Sequence, residues 1–287
     1  VRWAADGIPD NPEAWLLTVA RNRLRDNYRS AAHRTSVPLD PLLPLSDEQG
    51  ETVFIDRRLE LMFACTHPAI DAAIRTPLML QTVLGVESAH IATAFAVPAS
   101  TMAQRLVRAK RKIRDAGIPF AVPERDVLPG RLSSVLEAVY GAFAIDWQAI
   151  AGMSERESLT GEAVHLARTL AELLPDEPEV LGLAALVDLS AARVRARLAP
   201  DGMLIPIADQ DVSRWDANLI DEGEAFLARA HSIGRPGRFQ LEAAAQSVHC
   251  HRRISGTTDW AALEAIYRAL VSMAPTTGAQ VTITAAT

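Results

Sequence analysis

The sequence predicts an all-α protein with about two domains. Aromatic residues make up only 5% of the 287 residues, and alanine and leucine are abundant, which favours helix packing over sheets of β-branched and aromatic residues. Apolar residues also recur at intervals of three and four through most of the chain beyond Val53, the period of an amphipathic helix. The length suits about two domains at roughly 100 to 200 residues each.

The same features favour a cytoplasmic protein without a membrane span. No apolar run approaches the roughly 18 residues that cross a bilayer. The start at Val1 has none of the apolar character of a secretory signal, and the two cysteines, Cys65 and Cys250, lie far apart. We therefore expect a reducing compartment.

Charge is distributed unevenly along the chain. The formal net charge is −6, but residues 1–117 carry 15 Lys+Arg against 13 Asp+Glu, and residues 118–287 carry 14 against 22. A basic first part followed by an acidic second part predicts that only the first contacts nucleic acid and that the second binds protein.

A helix is predicted to begin at Asn11-Pro12-Glu13, which supplies a cap residue, a first-turn proline and an early carboxylate. It continues to about Arg34 and carries a stripe of arginines at four-residue spacing: Arg21, Arg25 and Arg29. The stripe is either an ordinary solvated face or a nucleic-acid contact. Residues 35–52 contain three prolines and are interpreted as a linker.

Residues 53–117 are predicted to end in a helix-turn-helix. Helical periodicity runs through Leu59, Met62 and Phe63, and returns from Ile70 to Leu84. The motif follows, with a first helix over Glu87–Phe95, a turn over residues 96–99 and Ser100 as the N-cap of a second helix.

The predicted second helix has two contrasting faces. Apolar residues share one face: Met102, Leu106, Ala109 and Ile113. The opposite face is polar and basic, with Ser100 in the first turn followed by Thr101, Gln104, Arg105, Arg108, Arg111 and Lys112. Such a helix can read a major groove, with its first turns at base edges and its later cations at phosphates. The alternative is a core helix with a charged outer face.

Residues 118–287 are predicted to form an autonomous helical extension, in which Ala163–Leu198 resembles one tetratricopeptide-like hairpin. A non-repeating α-domain is the alternative. The long segment from Asp201 to Asp216 carries Arg214 and Trp215, residue types that anchor interfaces. Trp215 is therefore either a partner-binding anchor or a plug in the extension's own core.

Nothing in the sequence indicates an enzyme, a cofactor or a metal centre. The clusters at residues 65–67 and 249–251 contain Cys and His, but neither has a second pair of ligands at zinc spacing. The acids of residues 209–216 lack the spacing and central glycine of a calcium loop. No Gly-rich phosphate loop or nucleophile elbow is present.

Three stretches together resemble RNA polymerase sigma factors of the extracytoplasmic-function type, in the subgroup that carries a helical C-terminal extension. Residues 12–23, PEAWLLTVARNR, are similar to the last helix of sigma region 2. Residues 101–112, TMAQRLVRAKRK, within Glu87–Arg114, are similar to the helix-turn-helix of region 4. Residues 174–183, LPDEPEVLGL, and 209–216, DQDVSRWD, are similar to the extension.

This resemblance implies a promoter-specificity subunit with four segments: a region 2 remnant over 1–34, a linker over 35–52, region 4 over 53–117 and an extension over 118–287. Its implied partners are promoter DNA, core RNA polymerase and a regulatory protein on the extension. Region 4 would read the −35 element, and the helix with Arg21, Arg25 and Arg29 would contact the −10 strands. The alternative is a protein-interaction or sensor module whose DNA-binding half is inactive.

Overall fold

The described part of the protein is built entirely from helices. A computed structural model describes residues 56–118, 123–149 and 159–274, and within them it contains ten α-helices, four short 3₁₀ helices and no β-strand. The predicted fold class is confirmed. The region 2 remnant with Arg21, Arg25 and Arg29, and the linker, lie outside the described residues.

The α-helices are numbered here in chain order. Four belong to the first part of the chain: α1 Arg57–Ala64, α2 Ala72–Thr82, α3 Ser88–Ala94 and α4 Ala99–Asp115. Six belong to the predicted extension: α5 Leu128–Ala149, α6 Leu159–Leu173, α7 Pro178–Ala191, α8 Ala217–Ser232, α9 Arg238–Ser255 and α10 Trp260–Met273. No helix among the described residues has the length and apolar character needed to span a membrane.

Aspartate caps start the first two helices. The Asp56 carboxylate accepts the backbone N–H of Arg58 at 2.7 Å, and the Asp71 carboxylate accepts that of Ala73 at 3.0 Å. The helix predicted from Ile70 is therefore shorter at its start, because Asp71 caps it and Ile70 is buried in the preceding turn. The predicted core positions of α1 are confirmed, since Leu59, Met62 and Phe63 are all buried.

Helix α7 is the centre of the extension. It is apolar on every side and buried along almost its whole length, as expected for a helix surrounded by others. Helices α6, α8 and α9 all pack against it. Together α6 and α7 form the expected helical hairpin within residues 163–198, although α7 ends at Ala191 and the chain continues in short 3₁₀ helices.

Close contact between α7 and α9 depends on two glycines and one carboxylate. Glu179, in the first turn of α7, accepts the backbone N–H of Phe239 at 2.9 Å and of Gln240 at 3.2 Å, so it caps α9 from another helix. A Cβ at Gly182 would lie 2.7 Å from the backbone nitrogen of Gln240. At Gly237 a Cβ would lie 2.2 Å from the Glu179 carboxyl carbon.

An ion pair between half-buried Arg168 and buried Asp188 joins α6 to α7. The Arg168 guanidinium donates to both carboxylate oxygens of Asp188, at 3.0 to 3.2 Å, and it also pairs with Glu222 of α8. Asp188 is fully buried, and burial raises its pKa to about 6 because the desolvation of the carboxylate outweighs the attraction of Arg168.

Replacing Gly182→Ala should destabilise the protein by about 1–3 kcal/mol, because the added methyl meets backbone atoms that can move only if α7 and α9 separate. Gly161→Ala is the matched control, since Gly161 is an exposed helical residue with open space around its Cβ position. The control should keep or gain stability, by up to about 1 kcal/mol. Urea unfolding measures both, and equal midpoints for the two variants would contradict this account of the α7–α9 contact.

The contribution of Asp188 to the free energy of unfolding should fall as pH rises from about 4 to about 6. Asp188 has a pKa of about 6 in the folded protein against an ordinary value of 3.8, so the folded state binds more protons in this window. Asp188→Asn should remove this part of the slope. Glu172→Gln, which removes an exposed carboxylate from α6, controls for the loss of one acid. Urea midpoints at pH 4, 5, 6 and 7 measure the slope, and an unchanged slope in Asp188→Asn would contradict the assignment.

Candidate nucleic-acid interface

Helices α3 and α4 form the predicted helix-turn-helix. The turn between them is closed by two backbone hydrogen bonds, from Ala96 N–H to the carbonyl of Thr93 at 3.1 Å and from Val97 N–H to that of Ala92 at 3.0 Å. Ala96 adopts a φ of 50°, a left-handed conformation that is uncommon for any residue except glycine. The packing of the two helices therefore holds the turn in its shape.

The apolar stripe of α4 faces inward. Met102, Leu106 and Ile113 are buried, and Ala109 is partly buried against the same core. They pack on α2 and α3, where Ile91 and Ala92 are also buried, as expected from the sequence. This packing fixes which face of α4 points to solvent.

The opposite face of α4 carries the predicted contact residues, and they share one solvent-facing surface. Thr101 is half-buried and the others are exposed: Ser100, Gln104, Arg105, Arg108, Arg111 and Lys112. Arg105, Arg108 and Lys112 also line a groove of about 470 Å³ beside the first turn of α2, together with Asp71 and Ile74. We call the exposed set on α4 the basic face.

The cations of the basic face are not neutralised by neighbours. Among the described residues the structure shows an ion pair on α4 only for Arg114, with Asp115 at 3.2 Å. Arg105, Arg108, Arg111 and Lys112 have no such partner in this part of the chain. An exposed row of unpaired cations attracts a polyanion, because each contact with a phosphate releases a condensed counterion.

One detail of the sequence prediction for α4 is wrong. Ser100 is not the N-cap but lies inside the first turn, because α4 begins at Ala99 with Pro98 as its cap residue. The extended ψ of Pro98 directs its carbonyl to the N–H of Met102 at 3.1 Å, and no side chain caps this end. Ser100 therefore keeps its hydroxyl for other partners.

The residues predicted to bind a partner in the extension have separate environments. Trp215 is only 5% exposed and lies in a small core with Leu189, Ile220 and Cys250. The Arg252 guanidinium of α9 stacks over the Trp215 ring at 5.2 Å. It also donates to the carbonyls of Ile207 and Gln210, which holds the loop between α7 and α8 against α9. Trp215 is therefore a core residue and not a partner-binding anchor, which was one of its two predicted roles. Arg214 is exposed.

Sequence reasoning missed the exposed apolar residues of the same loop. Met203 and Leu204 are 68% and 63% exposed. They lie at a turn closed by hydrogen bonds from Gly202 N–H to the carbonyl of Ala199 and from Ala199 N–H to that of Met203, both at 2.9 Å. Met203 and Leu204 follow Pro200, Asp201 and Gly202, so they belong to no helical or strand periodicity that would have predicted their role.

The cysteine and histidine clusters show no metal geometry. Among the described residues, no group of three or more His, Cys, Asp or Glu side chains is placed to hold an ion. Burial raises the pKa of both Cys65 and Cys250 to about 11, so neither is a thiolate at neutral pH. Burial, with Arg193 and Arg252 nearby, lowers the pKa of His249 to about 4.

Comparisons with known proteins place the chain in a family. Residues 131–231, from α5 to α8, match a family of unknown function, DUF6596. An uncharacterized protein of Rhizobium meliloti (strain 1021) is 35% identical over 282 residues, covering 95% of this chain and 67% of the relative. The chain belongs to the DUF6596 family. No solved structure matches this DUF6596 protein.

The descriptions of the DUF6596 family and of the Rhizobium protein name no enzymatic activity. The matched residues contain α6 and α7 but not α3, α4 or α9, so the family description covers part of the extension and not the basic face.

The role of Trp215 in this DUF6596 protein gives a prediction. Trp215→Ala should cost about 3–5 kcal/mol of stability, because it leaves a large cavity in the small core and removes the surface on which Arg252 stacks. Trp215→Phe should cost much less, since the indole N–H has no hydrogen-bond partner among the described residues. Arg214→Ala, at the exposed neighbour, should change stability by less than about 0.5 kcal/mol. Thermal unfolding compares the melting temperatures of the three variants. A wild-type melting temperature in Trp215→Ala would contradict the core role of Trp215 and favour the predicted surface anchor.

Proposed function

We propose that this protein is a sigma factor of the extracytoplasmic-function type, in which α3 and α4 bind the −35 promoter element and the extension regulates or strengthens the engagement of RNA polymerase. The basic face is the observation that carries the proposal. Its cations project from one side of a helix whose other side is fixed in a core.

The order of residues along α4 suits the reading of a duplex. In helix-turn-helix proteins the N-terminal turns of the second helix approach base edges, and later residues contact the backbone. Ser100, Thr101 and Gln104 occupy the early turns. Arg105 and Arg108 follow and are candidates for bidentate contacts to guanine, while Arg111 and Lys112 are positioned further along for phosphates.

The packing of the extension supports this assignment. Its first helix, α5, contacts α1, α2 and α3, whereas the basic face of α4 stays exposed. Among the described residues, no acidic side chain of the extension pairs with Arg105, Arg108, Arg111 or Lys112. The net charge of the extension therefore does not neutralise the surface that meets DNA.

Core RNA polymerase and promoter DNA are the proposed partners, with the cytoplasm as the proposed location. The proposed contact of Arg21, Arg25 and Arg29 with the −10 strands rests on the resemblance of residues 12–23 to region 2.

A second candidate function is a protein-interaction or sensor module. The family match favours it, because residues 131–231 cover the extension alone. The rigid turn with exposed Met203 and Leu204 offers a contact for a protein partner. In that case the basic face would bind DNA of any sequence weakly or not at all.

Replacing Arg105→Ala or Arg108→Ala should weaken binding to a duplex from the region upstream of the protein's own gene. A base contact should cost about 1–3 kcal/mol and relax specificity at one position, while a phosphate contact should lower the affinity evenly and reduce the salt slope by about one unit. Fluorescence anisotropy at several salt concentrations, on this duplex and on a scrambled one, separates the two cases.

Arg268→Ala is the matched control for this experiment. It removes the same charge from exposed α10, where Arg268 pairs with Glu264 four residues earlier, so it should leave the affinity for DNA unchanged. Unchanged binding by both α4 variants would refute the assignment of the basic face. Equal binding of matched and scrambled duplexes by the wild-type protein would favour the interaction module.

A further inference from the structure

The helix-turn-helix and the extension share one hydrophobic core, and α5 is the helix that joins them. The buried residues of α1 to α4 belong to the same cluster as those of α5, α6 and α7. The boundary near residue 117 that the charge distribution suggests is therefore not a break in the hydrophobic core.

One face of α5 completes the packing of the helix-turn-helix. Gly141 lies against Leu80 of α2, so that a Cβ there would be 3.4 Å from a Leu80 methyl, and the Thr76 hydroxyl donates to the carbonyl of Ser134 at 3.4 Å. Helix α3 also packs on α5. Because α4 rests on α2 and α3, the position of the basic face depends on α5.

Helix α5 is also tied to the centre of the extension, through Glu137 one turn before Gly141 and through Tyr140 beside it. Glu137 pairs with Arg238, the first residue of α9, at 2.6 Å. The Arg238 guanidinium lies 5.1 Å from the ring centre of Tyr140, and that ring packs against Phe239 with centres 5.6 Å apart. These contacts link α5 to the capped end of α9, beside α7.

A second connection joins α1 to α6. The Arg58 guanidinium pairs with both Asp56 and Glu162, and the His165 ring nitrogen lies 3.0 Å from the Asp56 carboxylate. The four side chains form a polar cluster at the start of α1. A movement of α6 would therefore also displace α1, the helix that precedes α2.

We propose that α5 couples the extension to α4, so that the basic face is positioned only while α5 stays packed against α2. Displacement of α5 then loosens α3 and α4 and weakens DNA binding, although no residue of α5 belongs to the basic face. The DNA readout rests on the proposed function, but the coupling itself does not.

The test uses the full chain and the variant Gly141→Val. A Cβ at Gly141 already contacts Leu80 at 3.4 Å, so the two further methyl groups of valine are expected to press on Leu80 and shift α5 from α2. Gly161→Val makes the same chemical change on α6, where the Cβ meets open space, and is the matched control. If the valine variant does not fold, Thr76→Val replaces it, because it removes the hydroxyl of α2 that donates to the Ser134 carbonyl of α5.

Amide hydrogen exchange in peptides from residues 99–115 is the primary measurement. Faster exchange in the Gly141 variant than in the Gly161 control is expected, and equal protection of α4 in the two would overturn the proposal whether or not the protein binds DNA. The affinity for the duplex should fall about three- to tenfold in the Gly141 variant alone. If the wild type binds no DNA, the proposed function fails while the exchange result still decides the coupling.

A protease site inserted between residues 118 and 123 gives an independent test. After cleavage in the folded state, the two halves should elute together in gel filtration and unfold in one transition, because they share a core. Separation of the halves, with the first half retaining the DNA affinity of the intact chain, would overturn the proposal.

Discussion

The packing of α9 against α7 organises the second half of the molecule. Glu179 lies in the first turn of α7 and caps the first turn of α9, so one carboxylate meets the positive ends of two helix dipoles. This is possible only because Gly182 and Gly237 leave room for the backbones to approach. At the other end of α7, Arg193 is buried and donates to the carbonyl of Leu189 at 3.4 Å, which places a cation at the negative end of the dipole.

Pairing of charges, more than their number, distinguishes the basic face of α4 from the extension. In the extension several arginines are neutralised within the fold: Arg168 by Asp188 and Glu222, Arg238 by Glu137 and Glu242, and Arg268 by Glu264. The cations of the basic face of α4 have no such partners among the described residues. A net charge of −6 for the whole chain is therefore compatible with one strongly basic surface.

The sequence predicted those features of the fold that depend on local periodicity. The helical class, the buried residues of α1, and the two faces of α4 all follow from the spacing of apolar residues. The start of α4 at Ala99 did not follow, because Ser100 is the better cap by residue type, whereas Pro98 has the backbone conformation that begins the helix.

Long-range contacts could not be predicted from the sequence. The carboxylate of Glu179 caps a helix 60 residues away, and the need for glycine at residue 182 arises only when α9 is in place. Trp215 was assigned two possible roles, because its burial depends on Arg252 in α9. The division at residue 117 followed charge and proline content, which say nothing of the contact between α5 and α2.

The residues that match the family description, 131–231, do not correspond to a complete folding unit. They begin inside α5, which also contacts α1, α2 and α3, and they end before α9 begins. Without α9, the apolar side of α7 around Gly182 would be exposed, and Glu179 would lose both backbone partners. Without α2, Gly141 and the carbonyl of Ser134 would face solvent. The matched segment therefore requires helices on both sides, which is the physical reason to treat the basic face and the extension as parts of one molecule.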